Sequence, residues 1–428
     1  MNGSSDRAGR PRLLLLLPKD SYRNDDFLSA ADKLDVEIVE ARNQCHRLAE
    51  YWELDRALSL PFDDPAAAAK IVRQTNSHNP PAAVLAVDDE GVEAAAMIAA
   101  ELGLQTNRPS AVAMLRDKYR FRQLQQRANL PCPGVQRLPL SRDTQEVGPT
   151  VGFPCVVKPS NLSGSRGVIR ANDQLEYANA VERVRSIMRD QSKNKDSALL
   201  VEQYLPGSEH ALEGLVIDGV LTTLAIFDKP DSMVGPYFEE TIYVTPSKMS
   251  GSTQSEFVRQ VQSVCTQSGL REGPVHAEAR VQGEQVTLLE VAPRSIGGLC
   301  GRVLRHGLGM TLEEMILRHA TGQTTAINSA SNQAEASGVL MLPVLTDGVV
   351  ERIEGVDEAL RIPGIVSLEI TTSPGQRVKP LPEASMYLGF VFAQGKSTDE
   401  VTQALHAAVE ILEVKINPMV SRPSMQAF

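Results

Sequence analysis

The stretch from Val275 to Gly298, VHAEARVQGEQVTLLEVAPRSIGG, constrains the fold more than any other. It reads as two strands, Val275–Val281 and Val286–Val291, joined by a tight turn at Gly283, because alternating residues flank a turn former on both sides. On the first strand Val275, Ala277, Ala279 and Val281 share one face, and His276, Glu278 and Arg280 share the other. A three-residue loop, Gly283 to Gln285, would pair Gln282 with Val286. Counting outward then sets Glu278 across from Glu290, with Cβ atoms roughly 5 Å apart. Two carboxylates that close on a buried face repel unless a proton or a cation lies between them. Magnesium takes one or two carboxylates together with phosphate oxygens and water, which suits a bound nucleoside triphosphate. Past Glu290, Arg294 adds a fixed cation, and Gly297 and Gly298 offer backbone amides bare enough to approach an anion. An exposed hairpin with solvated like charges gives the same pattern.

From Leu13 onward, strand-like runs alternate with helical ones: Leu13–Leu17, a helix near Asp25–Leu34, Val36–Val39, a helix around Pro65–Thr75, Ala83–Val87, and a helix through Leu102. That alternation predicts a parallel sheet covered on both faces. The five leucines behind Arg7, Arg10 and Arg12 are too few for a secretory signal and read as a buried first strand. Met1–Arg10 reads as a mobile leader. Asp88-Asp89-Glu90 follow a strand end, where such sheets meet ligands, although acids there also cap helices. The formal charge of -10 argues against a broad nucleic-acid surface. No segment has the length of a membrane span. Five scattered cysteines without CxxC spacing predict reduced thiols in a cytoplasmic protein, with neither a zinc site nor a disulfide framework.

Ser110–Asn129 reads as one amphipathic helix opened by Ser110 and carrying Asp117, Lys118, Arg120, Arg122 and Arg127, cations that taken singly are mostly solvated. At Phe153–Val168 an apolar strand ends in Lys158 and runs into a loop of small residues, a point charge beside exposed amides. Next come a helix at Gln174–Arg189, a polar loop at Gln191–Asp196, and a strand at Ala198–Val201 leading to Glu202, Gly207 and Glu209. Two further strands follow, near His210–Ile217 and Val220–Ile226, joined by Asp218-Gly219. Asp228–Ser247 reads as a long functional loop ending in a strand. Asn328–Ala336 reads as a linker. Beyond it, strands near Ala336–Leu345, Gly348–Ile353, Ile365–Ile370 and Tyr387–Ala393, with a helix at Thr398–Leu412, make an α+β cap of about 80 residues.

Together these motifs resemble the ATP-grasp superfamily over about residues 110 to 322. The residues concerned are Asp117-Lys118-Tyr119-Arg120, Phe153–Pro159, Ser163–Val168, Glu202-Gly207-Glu209, His276-Ala277-Glu278 and Glu290–Arg294. The tail, with Ile353–Asp357, Lys379–Pro382 and Tyr387–Phe392, is similar to the C-terminal domain of L-amino-acid ligases. The resemblance implies an α/β and α+β molecule of ATP-grasp fold. It would comprise a leader (1–10), an N-terminal parallel α/β domain (11–109), an ATP-grasp domain (110–327) with a flap at about 134–200, and a C-terminal α+β domain (328–428). It further implies that Lys118 and Lys158 hold ATP phosphates, with Ser163, Gly164, Ser165 and Gly167 folding over them. Glu202, Gln203 and Leu205 would line the adenine, and Glu209 would take the ribose. Glu278 and Glu290 would ligate Mg2+, with Mn2+ able to stand in. Arg294 would face the transferred phosphoryl group and the substrate carboxylate. Glu240, His276, Gly297 and Gly298 would meet substrate, a structural role for His276 being equally open. Ala292 stands where many members carry a metal-binding Asn, a change amino-acid ligases tolerate.

The expected reaction joins a small carboxylate to an amine, one of them an amino acid, through an acylphosphate, releasing ADP and phosphate. The expected catalytic groups are Arg294, Lys158 and Glu290, and look-alikes are commonly dimers. Two alternatives remain: a bicarbonate-activating carboxylase of the same superfamily, and an ATP-binding regulator without catalysis.

Overall fold

Leu13–Leu17 are wholly sealed from solvent. In the computed structural model, which describes residues 10–43, 57–76, 78–104, 106–140, 148–191, 198–323 and 336–419, they form β1 (Arg12–Leu17). This strand lies between parallel neighbours β2 (Glu37–Arg42) and β4 (Ala83–Ala86), with β3 (Ala57–Ser59) outside β2. Both faces of β1 being covered explains an unbroken leucine run. After α1 (Asn24–Ala31), α2 (Pro65–Thr75) and α3 (Val92–Glu101) supply Ala68, Ala69, Val72, Ala94 and Ile98 to the core around Leu14 and Leu16. The expected leader, polar loop and linker fall, save one end residue each, outside the described residues.

The single helix expected over Ser110–Asn129 is two, α4 (Pro109–Arg116) and α5 (Lys118–Arg127). The break is Asp117, in extended backbone, whose carboxylate accepts the Tyr119 and Arg120 amides at 2.8 and 3.0 Å. A short acid that binds amides ahead of it starts a helix rather than continuing one. The first helix opens on Arg108 with Pro109 behind it, not on Ser110.

The chain divides into two compact units. The first holds Met1–Cys132, His210–Ile226 and Lys248–Ala334, and the second holds Pro133–Glu209, Phe227–Ser247 and Glu335–Phe428. In the second, β5 (Val135–Pro139), β6 (Cys155–Pro159), β7 (Ile169–Ala171) and β8 (Ala198–Gln203) form an antiparallel sheet in the order β5-β8-β6-β7. Helix α6 (Gln174–Gln191) packs on it through Tyr177, Val181 and Val184. The division then passes through β9 (Ser208–Ile217) and β10 (Val220–Lys229). Asp218 and Gly219 join them, both at positive φ as the tight hairpin turn requires. The Asp228–Ser247 segment contains β11 (Ile242–Thr245).

In the first unit, α7 (Gly251–Ser268) is capped by Ser250 and ends at Gly269, and it packs Phe257, Val261 and Val264 against β12 (Gly273–Gln282) and β13 (Gln285–Ala292). The strand order there is β13-β12-β9-β10. Helix α8 (Leu312–Ala320) follows. In the second unit, β14 (Ala336–Pro343), β15 (Gly348–Glu354), β16 (Ile365–Ile370), β17 (Arg377–Val378), β18 (Tyr387–Gly395), α9 (Thr398–Ile411) and β19 (Glu413–Pro418) complete the chain. Strands run β11-β14-β18-β16 and β17-β15-β19, with α9 burying Val401, Leu405 and Ala408 against the former. Among the described residues no helix is long and apolar enough to cross a membrane.

Candidate active site

Glu278 faces Glu290, but not by the register expected. Gln282 pairs with Gln285, so the turn is Gly283-Glu284 rather than three residues. Continued without interruption, that register would set Glu278 opposite Leu289. A bulge beside Glu278 leaves Leu289 over and returns Glu290 to the facing position. Arg122, expected among solvated cations, is instead fully buried and holds this irregularity. Its guanidinium donates to the Leu288 and Leu289 carbonyls at 3.3 and 2.9 Å and to Gln125 at 2.7 Å, while Gln125 donates to Leu288 at 3.2 Å. Arg122→Met is therefore expected to cost about 2–3 kcal/mol in urea unfolding, because buried carbonyls lose a charged donor. Unchanged stability would show the bulge to be self-supporting.

Around Glu290 the first unit gathers cations. Lys118, the first residue of α5, lies 3.1 Å from Glu290, and Arg294 lies 3.9 Å from it. Arg294 is buried and pairs with Asp89 at 2.8 Å, and Arg116 pairs with the same carboxylate at 2.7 Å. Burial alone would raise the Asp89 carboxyl, yet Arg294, Arg116 and Lys118 hold it well below the usual carboxylate range. The adjacent Asp88 behaves as a cap: it accepts the Asp89 amide at 2.8 Å and the Ser21 hydroxyl at 2.9 Å. Two neighbouring acids that look alike in sequence thus differ in use.

His276 is buried and sits between carboxylates, its Nδ1 3.2 Å from Glu213 and its Nε2 3.6 Å from Glu278. Burial would lower its pKa, but the two glutamates outweigh this and raise it to about 9. Ala292, opposite His276 in the register, is buried. Gly297 and Gly298 are partly exposed, with open space where a Gly297 Cβ would stand and positive φ at Gly298.

In the second unit, Lys158 is the penultimate residue of β6 and lies 2.6 Å from Glu202 on β8, both side chains being buried. Gln203 is exposed and Leu205 half-buried. Of the small-residue loop, Ser163 and Ser165 are half-buried, Gly164 is exposed, and the buried Gly167 donates its amide to the Pro382 carbonyl at 2.9 Å. Glu209 and Glu240 share Lys229, at 2.7 and 3.0 Å. Lys229 is buried and went unmarked in the sequence, although Phe227-Asp228-Lys229-Pro230 repeats the strand-closing lysine signal of Val156–Pro159.

Burial and neighbouring Glu240 raise the Glu239 carboxyl from 4.5 to about 7. The folded protein then binds this proton more tightly than the unfolded chain, so the contribution to stability is full below 4.5 and is lost as pH rises through about 7. Between about pH 5 and about pH 7.5, wild type is expected to lose about 2 kcal/mol relative to Glu239→Gln, the full linkage value being reduced by solvent screening. Parallel stability curves for the two proteins would refute the shift.

Two family models match. An ATP-grasp domain covers residues 151–303, and an L-amino acid ligase C-terminal domain 2 covers residues 340–417. The L-amino acid ligase of Bacillus licheniformis superposes with a TM-score of 0.82 at 24% identity, covering 95% of this chain and 99% of that one. The alanine–anticapsin ligase of Bacillus amyloliquefaciens is 21% identical over 330 residues, 72% of this chain and 69% of the relative. Carnosine synthase 1 of Gallus gallus is 27% identical over 324 residues, which span 69% of this chain and 35% of that longer protein.

Proposed function

We propose that this chain, of ATP-grasp fold and carrying an L-amino acid ligase C-terminal domain, is an ATP-dependent carboxylate–amine ligase with an amino acid among its substrates. The observation that carries the reading is the facing pair Glu278 and Glu290, with Lys118 and Arg294 gathered on Glu290. Opposed carboxylates flanked by a lysine and an arginine make an oxygen donor set that fits magnesium beside polyphosphate. Glu278 and Glu290 would hold the ion, which when bound neutralises phosphate charge.

In the first unit we assign Lys118 to a phosphate and Arg294 to the phosphoryl group and the substrate carboxylate. Asp89, 2.8 Å away, holds Arg294 in place. In the second we assign Lys158 to phosphate, Ser163, Gly164, Ser165 and Gly167 to the covering flap, Glu202, Gln203 and Leu205 to adenine, and Glu209 to ribose. Glu240, His276, Gly297 and Gly298 are assigned to substrate.

The substrate carboxylate oxygen would attack the γ-phosphorus as the bond to the β-phosphate oxygen breaks, giving an acylphosphate and ADP. A neutral amine nitrogen would then attack the acyl carbon, lose a proton and expel phosphate, leaving an amide. The protein's contribution is positioning and charge neutralisation. Phosphate release from ATP, measured across pairs of L-amino acids and small amines with mass spectrometry of the products, tests this. A condensed product with stoichiometric ADP is expected. ATP bound but never consumed would mean a regulator, and turnover that needs bicarbonate would mean a carboxylase.

A further inference from the structure

Glu213, on β9 in the first unit, is wholly buried. Its Oε2 lies 3.2 Å from His276 Nδ1 and accepts the Ile296 amide at 3.0 Å. Its Oε1 is sealed from solvent and takes no hydrogen bond among the described residues. Buried polar atoms without partners are rare and unfavourable, so a carboxylate in this place calls for a reason. Being sealed, Glu213 cannot touch a substrate, and whatever it does is done through the two groups on Oε2.

Those two groups sit at the ends of the region assigned to substrate. His276 stands two residues before Glu278, and Ile296 immediately precedes Gly297 and Gly298. The preceding residue is held independently. Arg294 donates to the Ser295 carbonyl at 3.0 Å, and buried Arg23 donates to the Val87 carbonyl at 2.7 Å and reaches the Ser295 carbonyl at 3.4 Å. None of these three bonds fixes the Ile296 amide, where the chain turns into the two glycines. A charged acceptor binds such a donor more strongly than a neutral one and sets its direction.

We propose that Glu213 is a positioning residue for the substrate side of the site. One carboxylate oxygen ties the His276 ring and the Ile296–Gly298 backbone into a common frame, and so fixes where the glycine amides are presented. What the turn binds rests on the ligase reading; how the turn is held does not.

Glu213→Gln keeps the shape and removes the charge. With ATP and the amino-acid pair that wild type turns over fastest, it is expected to raise the amino-acid KM about ten-fold or more while the ATP KM stays within about two-fold. Equal changes in both KM values, or none, would overturn the proposal. Wild type labelled with 15N at histidine and isoleucine gives a second readout that needs no variant to fold. A proton on His276 Nδ1 and slow exchange of the Ile296 amide are expected, and an unprotonated Nδ1 or a freely exchanging amide would overturn the proposal. If wild type consumes no ATP with any pair, the ligase reading fails, and the labelled spectra alone decide the positioning role.

Discussion

Glu290→Gln is expected to fold normally and to lose turnover by a factor on the order of 100 or more. The substitution keeps the size of the side chain and removes one charge from a pair that faces across β12 and β13. Two effects on stability oppose each other. Repulsion from Glu278 is relieved, while the attraction of Lys118 at 3.1 Å and Arg294 at 3.9 Å is lost. Glu290 is partly exposed, so each effect is modest and the melting temperature should shift little. Activity and stability therefore separate, as they would not if Glu290 were only part of the scaffold. The matched control is Glu284→Gln at the exposed turn of the same hairpin, expected to leave turnover unchanged. Assays run across a magnesium titration decide the assignment. Near-normal turnover of the Glu290 variant at saturating magnesium would remove the metal role assigned to Glu290.

The facing of Glu278 and Glu290 was legible in the sequence, but the route to it was not. A three-residue turn without a bulge and a two-residue turn with one give the same opposition, and local alternation cannot tell them apart. In the structure the second is braced by Arg122, whose donors reach carbonyls 166 and 167 residues away. Nothing near Arg122 in the chain announces that. The same limit hid Arg23, Glu213 and Lys229, charged residues that are buried because distant segments close over them. Strands and helices with strong periodicity were readable to within a few residues, as at Pro65–Thr75 and Ile365–Ile370. The short strands Ala57–Ser59 and Arg377–Val378 were not, since two or three residues carry no period. Asp117 shows the intermediate case. Its type favours capping over a helix interior, and weighing that local chemistry against the amphipathic pattern would have found the break.

Lys158→Ala is expected to act twice, on the fold and on the nucleotide, and the two effects can be measured apart. Lys158 Nζ lies 2.6 Å from Glu202, with both side chains less than a tenth exposed. Removing one partner of a buried ion pair typically costs about 3 kcal/mol or more, because the charge left behind is poorly solvated. A loss of that size should appear in urea unfolding. If Lys158 also meets phosphate, affinity for a non-hydrolysable ATP analogue should fall by a factor on the order of 10 or more in calorimetry. Adding Glu202→Gln removes the stranded charge, so the double variant should recover most of the stability but not the affinity. Because Glu202 is itself assigned to the adenine, Glu202→Gln alone must complete the cycle, and its own effect on affinity is subtracted before the lysine is judged. Affinity that returns together with stability would make Lys158 a scaffold residue and move the phosphate contact to another cation. Affinity that stays low in a restored fold is the result expected of a lysine that neutralises the nucleotide.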